Sequence, residues 1–543
     1  HTQLRHGGAY RKEGRQDVKE EVNAAQVWRE YEKMLDYNAG IQLDDNVRVN
    51  ENFFVGRQWE GVESNGLPTP VFNFLKRVTL FTVASCTSDN IKLTASPAGG
   101  GRAARRAAEA VNAQFEEIFE RNGITVMLRE FLRNAAVDGD AATYTYWDAS
   151  ADAGGGRRGA VVTEIVRNTR VGFGNVADRR VEEQPYILIK RRELTAGLRE
   201  RARRAGCAEW EKIESDADDE LLDSYKDTDG RTTVLLRLWK NGETGTVWAC
   251  ECCRGVMLRA PWDLGLRRYP VTWMCWDNVQ DSYHGQAMLT GLIPNQIYIN
   301  KLFAMTMTSL MMTAYPKIIY DRTRIAHWDN GIGRAIGVSG GDMSGVARIL
   351  EPAQISPQIA QFISLTQELT QSNLGATSVA LGEARPDNTS AIIALQRAAA
   401  TPNELTRQAL YQSVEDLGRI YIDFMAGYYG VRQAEFEPDA SLPREVVDFA
   451  AGELNLTEGG KLSAEFDFAT LRSLPMRLKL DVGASAYWSE IASIQTLDNL
   501  LAAGHIDILD YLDRVPDSCV TDRRGLIEAI RGRRAAADGA RET

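Results

Sequence analysis

The residues whose chemistry could form a reactive centre are few and widely spaced. The chain of 543 residues has seven cysteines, and three of them cluster at Cys250, Cys252 and Cys253. Thiolates bind zinc, but a structural zinc site takes about four ligands. Neither a second cysteine pair nor a histidine lies close to this cluster in the sequence. We therefore expect ordinary strand cysteines here, and we predict no metal site.

The five histidines also lack a spacing that would bind a metal. They are His1, His6, His284, His327 and His505. None belongs to an HExxH motif, which would place two imidazoles on one face of a helix. For His284 we expect a role in packing or at the beginning of a helix.

Motifs for nucleotide binding and for acyl transfer are missing from the sequence. There is no GxxxxGK[ST] loop to hold phosphates and no GxSxG turn to present a nucleophilic serine. The glycines of residues 331–337 do not have the GxGxxG spacing of a dinucleotide site. No acidic pair stands out as an acid–base couple among 74 Asp and Glu residues. We predict no catalytic residues, no cofactor and no enzymatic activity.

The overall charge limits how the chain can meet nucleic acid. Lys and Arg number 63 against 74 acidic residues, which gives a formal net charge of −11. Proteins that grip nucleic acid over a broad surface neutralise phosphates with many cations, so this composition argues against them. It is compatible with a conduit through which nucleic acid slides. The odd number of scattered cysteines suits a reducing compartment without a disulfide framework.

The elements that would position any site centre on one unusually apolar helix, predicted over residues 294–315. Pro294 is acceptable in a first helical turn, and Tyr315 precedes Pro316, which ends the helix. Apolar side chains surround the helix, which predicts burial against protein or lipid. We favour a buried helix of an oligomer, because Asn300, Lys301 and several threonines suit a membrane poorly. A membrane span over residues 297–314 is the alternative.

Three further segments follow this helix. Residues 316–355 form a glycine-rich insert, in which 317–320 and 347–350 are typical of strands that could pair between subunits. Ser356 and Pro357 predict the beginning of a second helix that ends near Leu374. A loop over residues 375–389 then leads to a long helix over about 390–429, which Pro402 should kink.

The periodicity of the remaining chain predicts a mixture of helices and strands. Helices are predicted over residues 22–36, 75–86, 103–121, 126–137, 195–205, 487–503, 506–512 and 522–531. Strands are predicted over residues 142–147, 160–167, 186–190, 232–239 and 246–252. Residues 95–102 are expected to form a turn rich in Gly and Pro, and the acidic stretch 206–230 is expected to be a solvated loop.

Several segments, in their order along the chain, resemble the portal proteins of tailed bacteriophages. Residues 52–59 (NFFVGRQW) and 70–73 (PVFN) resemble the N-terminal wing of that family. Residues 286–300 (QAMLTGLIPNQIYIN) resemble the run into its first stem helix. Residues 497–504 (LDNLLAAG) and 511–516 (YLDRVP) resemble its crown helices.

The resemblance implies an α+β fold, mainly α, with a helical stem, an α/β clip, a mixed α/β wing and a helical crown. The implied segments are 1–283 for the N-terminal wing, 284–315 for the first stem helix, 316–355 for the clip, 356–374 for the second stem helix, 375–389 for the tunnel loop, 390–483 for the long wing helix and returning wing segments, and 484–543 for the crown.

The resemblance also implies a function and a set of partners. Portal proteins form a ring, usually of twelve subunits, at one capsid vertex of the virion. Double-stranded DNA enters through the ring's channel during packaging and leaves through it at infection. The implied partners are the large terminase, the head–tail adaptor and the major capsid protein, with assembly in the host cytoplasm and no membrane. The alternatives are a membrane-inserted oligomeric channel and a DNA-processing enzyme of the packaging apparatus.

Two sets of site residues follow from these assignments. The residues expected to face DNA in the tunnel loop are Thr377, Ser378, Leu381, Glu383, Arg385, Asp387 and Asn388. The residues expected at the clip interface are Lys317, Tyr320, Arg322, Arg324, Arg334 and Arg348. The charges of the loop nearly cancel, so that it should not hold phosphates strongly. In the stem helix, the hydroxyls of Thr306, Thr308, Ser309 and Thr313 are expected either to face the channel or to bond to the local backbone.

Overall fold

A computed structural model describes much of the chain. The described residues are 22–87, 90–99, 101–154, 157–216, 230–315, 317–329, 331, 334–350, 358–373, 403–436, 462–483, 497–498, 500–501, 505–514, 526 and 530. The tunnel loop (375–389), the beginning of the long helix (390–402) and most of the predicted crown lie outside these residues.

Most of the described helices overlap predicted ones, but α2 was not predicted, and most residues of the predicted helices 487–503 and 522–531 lie outside the described residues. The described helices are α1 (Ala24–Gly40), α2 (Leu43–Val55), α3 (Phe74–Cys86), α4 (Arg102–Arg121), α5 (Ile124–Asp138), α6 (Thr195–Arg204), α7 (Ile293–Ala314), α8 (Gln358–Asn373), α9 (Glu404–Phe424) and α10 (Ile508–Arg514). A π-helical turn, Met425–Tyr429, extends α9 and ends at Gly430, whose φ is +60°.

The described strands include all seven predicted ones, two of them in the insert, and several more. They are β1 (Asn90–Pro97), β2 (Asp140–Gly154), β3 (Arg157–Val166), β4 (Val171–Phe173), β5 (Ile187–Leu194), β6 (Arg231–Lys240), β7 (Val247–Cys253), β8 (Val256–Leu266), β9 (Val271–Cys275), β10 (Lys317–Tyr320), β11 (Ala347–Leu350), β12 (Val431–Phe436), β13 (Leu462–Asp467) and β14 (Met476–Gly483). The mixture of helices and strands supports the α+β class.

The chain divides into two compact units. Unit 1 comprises residues 1–44, 169–176 and 182–269, and unit 2 comprises 45–168, 177–181 and 270–543. The wing, stem and crown boundaries given above remain predictions.

Unit 1 is built on a five-stranded antiparallel sheet in the order β4-β5-β6-β7-β8. Successive side chains of a strand point to opposite faces, and β7 follows this rule with its cysteines. Cys250 and Cys252 belong to the core beneath α1, whereas Cys253 belongs to a second core with Leu198 of α6. Burial raises the pKa of the Cys250 thiol to about 12 and that of Cys253 to about 11. The prediction of strand cysteines is therefore confirmed.

A buried ion pair joins α1 to the sheet of unit 1. Arg237 on β6 donates from Nε to Glu30 Oε2 at 2.6 Å and from Nη2 to Oε1 at 3.0 Å. The guanidinium lies between the rings of Tyr186 and Trp239, with 4.9 Å to each centroid. Removing one partner of such a pair leaves a buried charge, which typically costs about 3–5 kcal/mol. The pair therefore specifies how α1 docks on this sheet.

Unit 2 packs α4, α5 and α9 against small antiparallel sheets, and α3 packs on α5. One sheet has the order β3-β2-β9, and another pairs β1 with β14. Tyr421 of α9 is fully buried, and its hydroxyl lies 2.8 Å from Thr163 Oγ1 of β3, which in turn lies 3.1 Å from Thr145 Oγ1. This chain of hydroxyls links the long helix to the central strand β2.

The predicted turn over residues 95–102 is partly wrong. Ala95, Ser96 and Pro97 belong to β1, whose register pairs Asn90 with Gly483 and Pro97 with Met476. Pro97 ends the strand, where a missing N–H is tolerated. The partner strand lies almost four hundred residues away, so local composition could not reveal this pairing.

Candidate assembly and docking interface

The first half of α7 is held in unit 2 by a buried chain of amides. Asn300 Nδ2 donates to Gln58 Oε1 at 2.7 Å, and Gln58 Nε2 donates to the carbonyl of Phe53 at 3.0 Å. Gln296 Nε2 donates to Asn300 Oδ1 at 3.0 Å and to the carbonyl of Phe72 at 2.8 Å. All three amide side chains are buried. Buried amides are favourable only when bonded, so this network determines the position of the base of α7.

The two wing segments noted in the sequence supply the partners of this network. Gln58 and Phe53 lie in residues 52–59, and Phe72 lies in residues 70–73. Phe72 also stacks on Phe303 of α7, with 4.1 Å between ring centroids. Both segments therefore hold the base of the apolar helix.

A second buried polar cluster holds the segment that leads into α7. The carboxylate of Asp140 accepts from the backbone N–H of Gly285 at 2.7 Å, and its other oxygen lies 2.7 Å from Nδ1 of His284. Asn168 Nδ2 donates to the same oxygen at 3.4 Å. Asp140, Asn168 and His284 are all buried. His284, which we expected in packing or at a helix start, thus lies before the helix and packs against Tyr283 at 4.1 Å between ring centroids.

Close backbone packing completes this connection. A Cβ on Gly285 would lie 2.6 Å from the carbonyl oxygen of Asp277, and one on Gly139 would lie 2.9 Å from the carbonyl oxygen of Gly285. Gly139 also has a φ of +100°, which favours glycine. Asn50 Nδ2 donates to the carbonyl of Val137 at 2.8 Å and to Thr290 Oγ1 at 2.9 Å. The direction of α7 is therefore determined by packing that begins before the helix itself.

The second half of α7 is apolar and exposed in the single chain. Leu310 is 61% exposed. Its exposed apolar neighbours on the helix are Met305, Met307, Met311, Met312 and Tyr315. Within one chain, the buried side chains of α7 all lie between Ile293 and Ala304, where Tyr298 is nevertheless 49% exposed. Burial of the remaining apolar side chains against another molecule stays a prediction. An apolar surface of this size on a folded chain marks a contact with another molecule.

The threonines of this helix do not offer their hydroxyls to solvent. Thr306 Oγ1 donates to the carbonyl of Leu302 at 2.8 Å, Thr308 to that of Ala304 at 2.9 Å, and Thr313 to that of Ser309 at 2.9 Å. Bonding to the local backbone, one of the two roles expected for these hydroxyls, is therefore observed for the three threonines, whereas the role of Ser309 stays a prediction. With its hydroxyls satisfied, the helix presents mainly methyl groups and thioethers.

Helix α8, the described part of the predicted second stem helix, also carries exposed apolar side chains. Phe362, Leu365 and Leu369 are all exposed. Tyr298 of α7 contacts Phe362 edge-on, with 5.6 Å between the ring centroids. Both α7 and α8 thus carry exposed apolar side chains within unit 2.

The insert between these helices contains a two-stranded antiparallel sheet. Strand β10 pairs with β11 within the chain, with Lys317 opposite Leu350 and Ile319 opposite Arg348. The expected strands are therefore present, and their described partners are each other. Elsewhere in the insert, Ile325 and Val346 are buried, whereas most of its described side chains are exposed. Two strands alone are marginally stable in water, so this sheet would gain from cover by another molecule.

The six predicted clip residues fall into different environments. Lys317 and Tyr320 lie in β10, Arg348 lies in β11, and Arg322 is exposed in the turn after β10. Arg324 donates from Nη2 to the carbonyl of Asp342, and Arg334 donates from Nη1 to Asp329 Oδ2 at 2.8 Å. The bond from Arg334 holds the pKa of the Asp329 carboxyl below its usual range. Arg324 and Arg334 therefore hold the loop together.

The tunnel-loop residues Thr377, Ser378, Leu381, Glu383, Arg385, Asp387 and Asn388 lie outside the described residues. Their expected contact with DNA stays a prediction.

Comparison with known proteins gives one decisive match. A family model described as "Phage P22-like portal protein" matches residues 129–434, which is more than half of the chain. The chain belongs to the P22-like phage portal protein family. A search of curated proteins returned no match.

Membership places this portal protein in a structural family whose members are oligomeric components of the phage capsid vertex. The matched region includes α7, α8 and the sheet of β10 and β11. Within the described ranges, no helix is long and apolar enough to cross a membrane. Among the same residues, no group of His, Cys, Asp and Glu has a metal-binding arrangement.

Sequence reasoning missed two groups of positioning residues in this portal protein. The amides Gln58, Gln296 and Asn300 come from distant segments and have no shared motif. Asp140 and His284 are separated by more than a hundred residues. Polar residues at positions that periodicity assigns to a core were the one available signal, and Gln296 and Asn300 in the apolar helix show it.

Proposed function

We propose that this portal protein assembles into a closed ring of about twelve subunits at one capsid vertex. Double-stranded DNA is packaged and ejected through the central channel. The clip docks the large terminase during packaging and the head–tail adaptor afterwards, while the outer ring contacts the major capsid protein. Assembly takes place in the host cytoplasm, and the number twelve comes from the family resemblance.

The observation that carries this proposal is the exposed apolar second half of α7. Fully burying a Leu or Met side chain contributes about 1.5–3 kcal/mol, and α7 alone exposes five such residues. Copies of α7 and α8 packed side by side would cover these side chains in every subunit. The amide network at the base of α7 would hold each helix in one orientation, as a closed ring requires.

The proposed ring is tested by comparing Leu310→Asp with the native chain. We expect rings with a central hole for the native chain in negative-stain images and a ring mass by mass photometry. Leu310→Asp should give folded subunits that do not close into rings, because each contact would bury a carboxylate. The matched control is Leu405→Asp, at a 77% exposed position of the first turn of α9, which should still form rings.

Circular dichroism and thermal unfolding verify that each variant is folded. Monomers of the native chain at every salt concentration, or normal rings of Leu310→Asp, would contradict the proposal.

A further inference from the structure

The clip sheet has one face that combines positive charge with aliphatic side chains. Alternate residues of a strand share a face, so the register places Lys317, Ile319, Arg348 and Leu350 together. All four are exposed, with Ile319 at 60% and Leu350 at 51%. We call these four residues the clip face.

The opposite face of the same sheet is partly covered by the insert itself. It consists of Ile318, Tyr320, Ala347 and Ile349. Tyr320 stacks on Trp328 with 5.4 Å between ring centroids, and Ile318 is half-buried. Ala347 and Ile349 of this opposite face stay exposed, so only its β10 half is covered, whereas all four residues of the clip face are exposed.

The cations of the clip face are not neutralised within the described part of the chain. No described acidic group lies within ion-pair distance of Lys317 or Arg348, whereas Arg334 is paired with Asp329. None of the four residues of the face is acidic. The face thus carries two positive charges per subunit on a protein whose net charge is −11.

We propose that the clip face binds an extended, acidic amphipathic segment of the docking protein, in which one side of the segment carries a carboxylate and an aliphatic side chain two residues apart; this inference rests on the docking function proposed for the clip. Such a segment has the same period of two residues as the sheet. It would place carboxylates on Lys317 and Arg348 and cover Ile319 and Leu350. Each described strand of the clip has one backbone edge without a strand partner, so the segment can also add as a third strand.

The composition of the face favours protein over nucleic acid. Binding to DNA rests on phosphate neutralisation by clustered Lys and Arg, and stacking of bases needs aromatic side chains. The clip face has two cations separated by aliphatic side chains and no aromatic ring. Aliphatic surface is stabilised by apolar cover, which phosphates do not supply.

The test measures binding of the assembled ring to two purified probes, the head–tail adaptor and the large terminase of the same phage. Arg348→Glu should raise the Kd for at least one probe about tenfold at 50 mM NaCl, and less at 300 mM, because exposed charges are screened by salt. Ile319→Thr, which keeps a β-branched residue in the strand, should raise the same Kd about threefold at both salt concentrations. The matched control Arg254→Glu, at an exposed position between β7 and β8, should change it less than twofold.

Each alternative gives a distinct result. Native rings that bind neither probe would contradict the proposed docking function itself. Native rings that bind, with unchanged Kd values for Arg348→Glu and Ile319→Thr, would overturn only the clip-face inference. Loss of rings in both variants by mass photometry would assign the face to contacts between subunits. If both variants lost binding to a 30-base-pair duplex while their binding to the protein probes was unchanged, the clip face would be assigned to nucleic acid. Either this result or the loss of rings would overturn the inference.

Discussion

At the scale of single residues, Asp138 shows how a buried charge can act against the fold. It is the last residue of α5, where the helix dipole disfavours a negative charge. Its Oδ1 has no hydrogen-bond partner among the described residues. Burial raises the pKa of this carboxyl to about 6, although Arg133 and Arg167 act in the opposite direction.

This shift predicts that Asp138→Asn stabilises the protein above pH 6. The raised pKa means that the folded state binds the proton more tightly than the unfolded state, so ionisation lowers stability as pH rises from about 4 to about 6. A shift from 3.8 to about 6 corresponds to at most about 3 kcal/mol. We expect Asp138→Asn to raise the free energy of unfolding by up to that amount at pH 8 and by less than about 1 kcal/mol at pH 4, measured by urea denaturation.

The control for this prediction is Asp36→Asn, an exposed position on α1, which should change stability little at either pH. An equal effect of Asp138→Asn at pH 4 and pH 8 would show that its charge is not responsible.

At the scale of elements, the segment before α7 decides the direction of this helix within unit 2. Asp140, Asn168 and His284 fill the space on one side, and the backbone of Asp277 closes the other. The helix itself was predictable from Pro294 and its apolar residues. Its orientation was not, because it depends on side chains from segments far away in the sequence.

This packing predicts a large difference between two glycine substitutions in the same segment. Gly285→Ala would place a Cβ 2.6 Å from the Asp277 carbonyl oxygen, whereas a Cβ on Gly291 would have no neighbour within 4 Å. We expect Gly285→Ala to lower the free energy of unfolding by about 1–3 kcal/mol. Gly291→Ala should be neutral or stabilise by about 0.4–1 kcal/mol.

Thermal and urea unfolding of the two variants would measure this difference. Equal stability of Gly285→Ala and Gly291→Ala would contradict the close contact between position 285 and the carbonyl oxygen of Asp277. Ring formation by Gly291→Ala should be normal.

At the scale of the whole molecule, charge and oligomeric state act together. A net charge of −11 per subunit disfavours broad binding of DNA, as the proposed channel would require for DNA to pass without being held. In the proposed ring, each charge of the tunnel loop is repeated in every subunit. Small changes in that loop are therefore multiplied by the number of subunits.

We predict that Glu383→Lys combined with Asp387→Lys slows DNA movement through the ring. The two changes replace repulsion by attraction to phosphates in every copy of the loop, and attraction of this kind weakens with salt. DNA uptake in a packaging assay should fall at low salt and recover partly at higher salt. Rings and thermal stability should be unchanged.

The control for the loop variant reverses two charges elsewhere, with Glu32→Lys and Asp36→Lys on the exposed side of α1. This control should package DNA normally. Normal uptake by the loop variant at low salt would contradict the prediction.

The sequence by itself determined the elements whose signals are local. Proline positions, capping residues and periodicity predicted α3, α4, α7 and the central strands, because these features act within a few residues of each other. The order of the wing, stem and crown segments was enough to indicate the portal family, which the family model then confirmed. The class of the fold followed from the same pattern.

Only the tertiary structure decided the contacts between distant segments. The pairing of β1 with β14, the amides that hold α7 and the cluster around Asp140 join residues that are far apart in sequence. The register of β10 and β11 decided that Lys317 and Arg348 share a face with Ile319 and Leu350. The tertiary structure also showed that the second half of α7 is exposed in the single chain. The sequence shows that this helix is apolar, but it does not show whether the same chain or another molecule covers it.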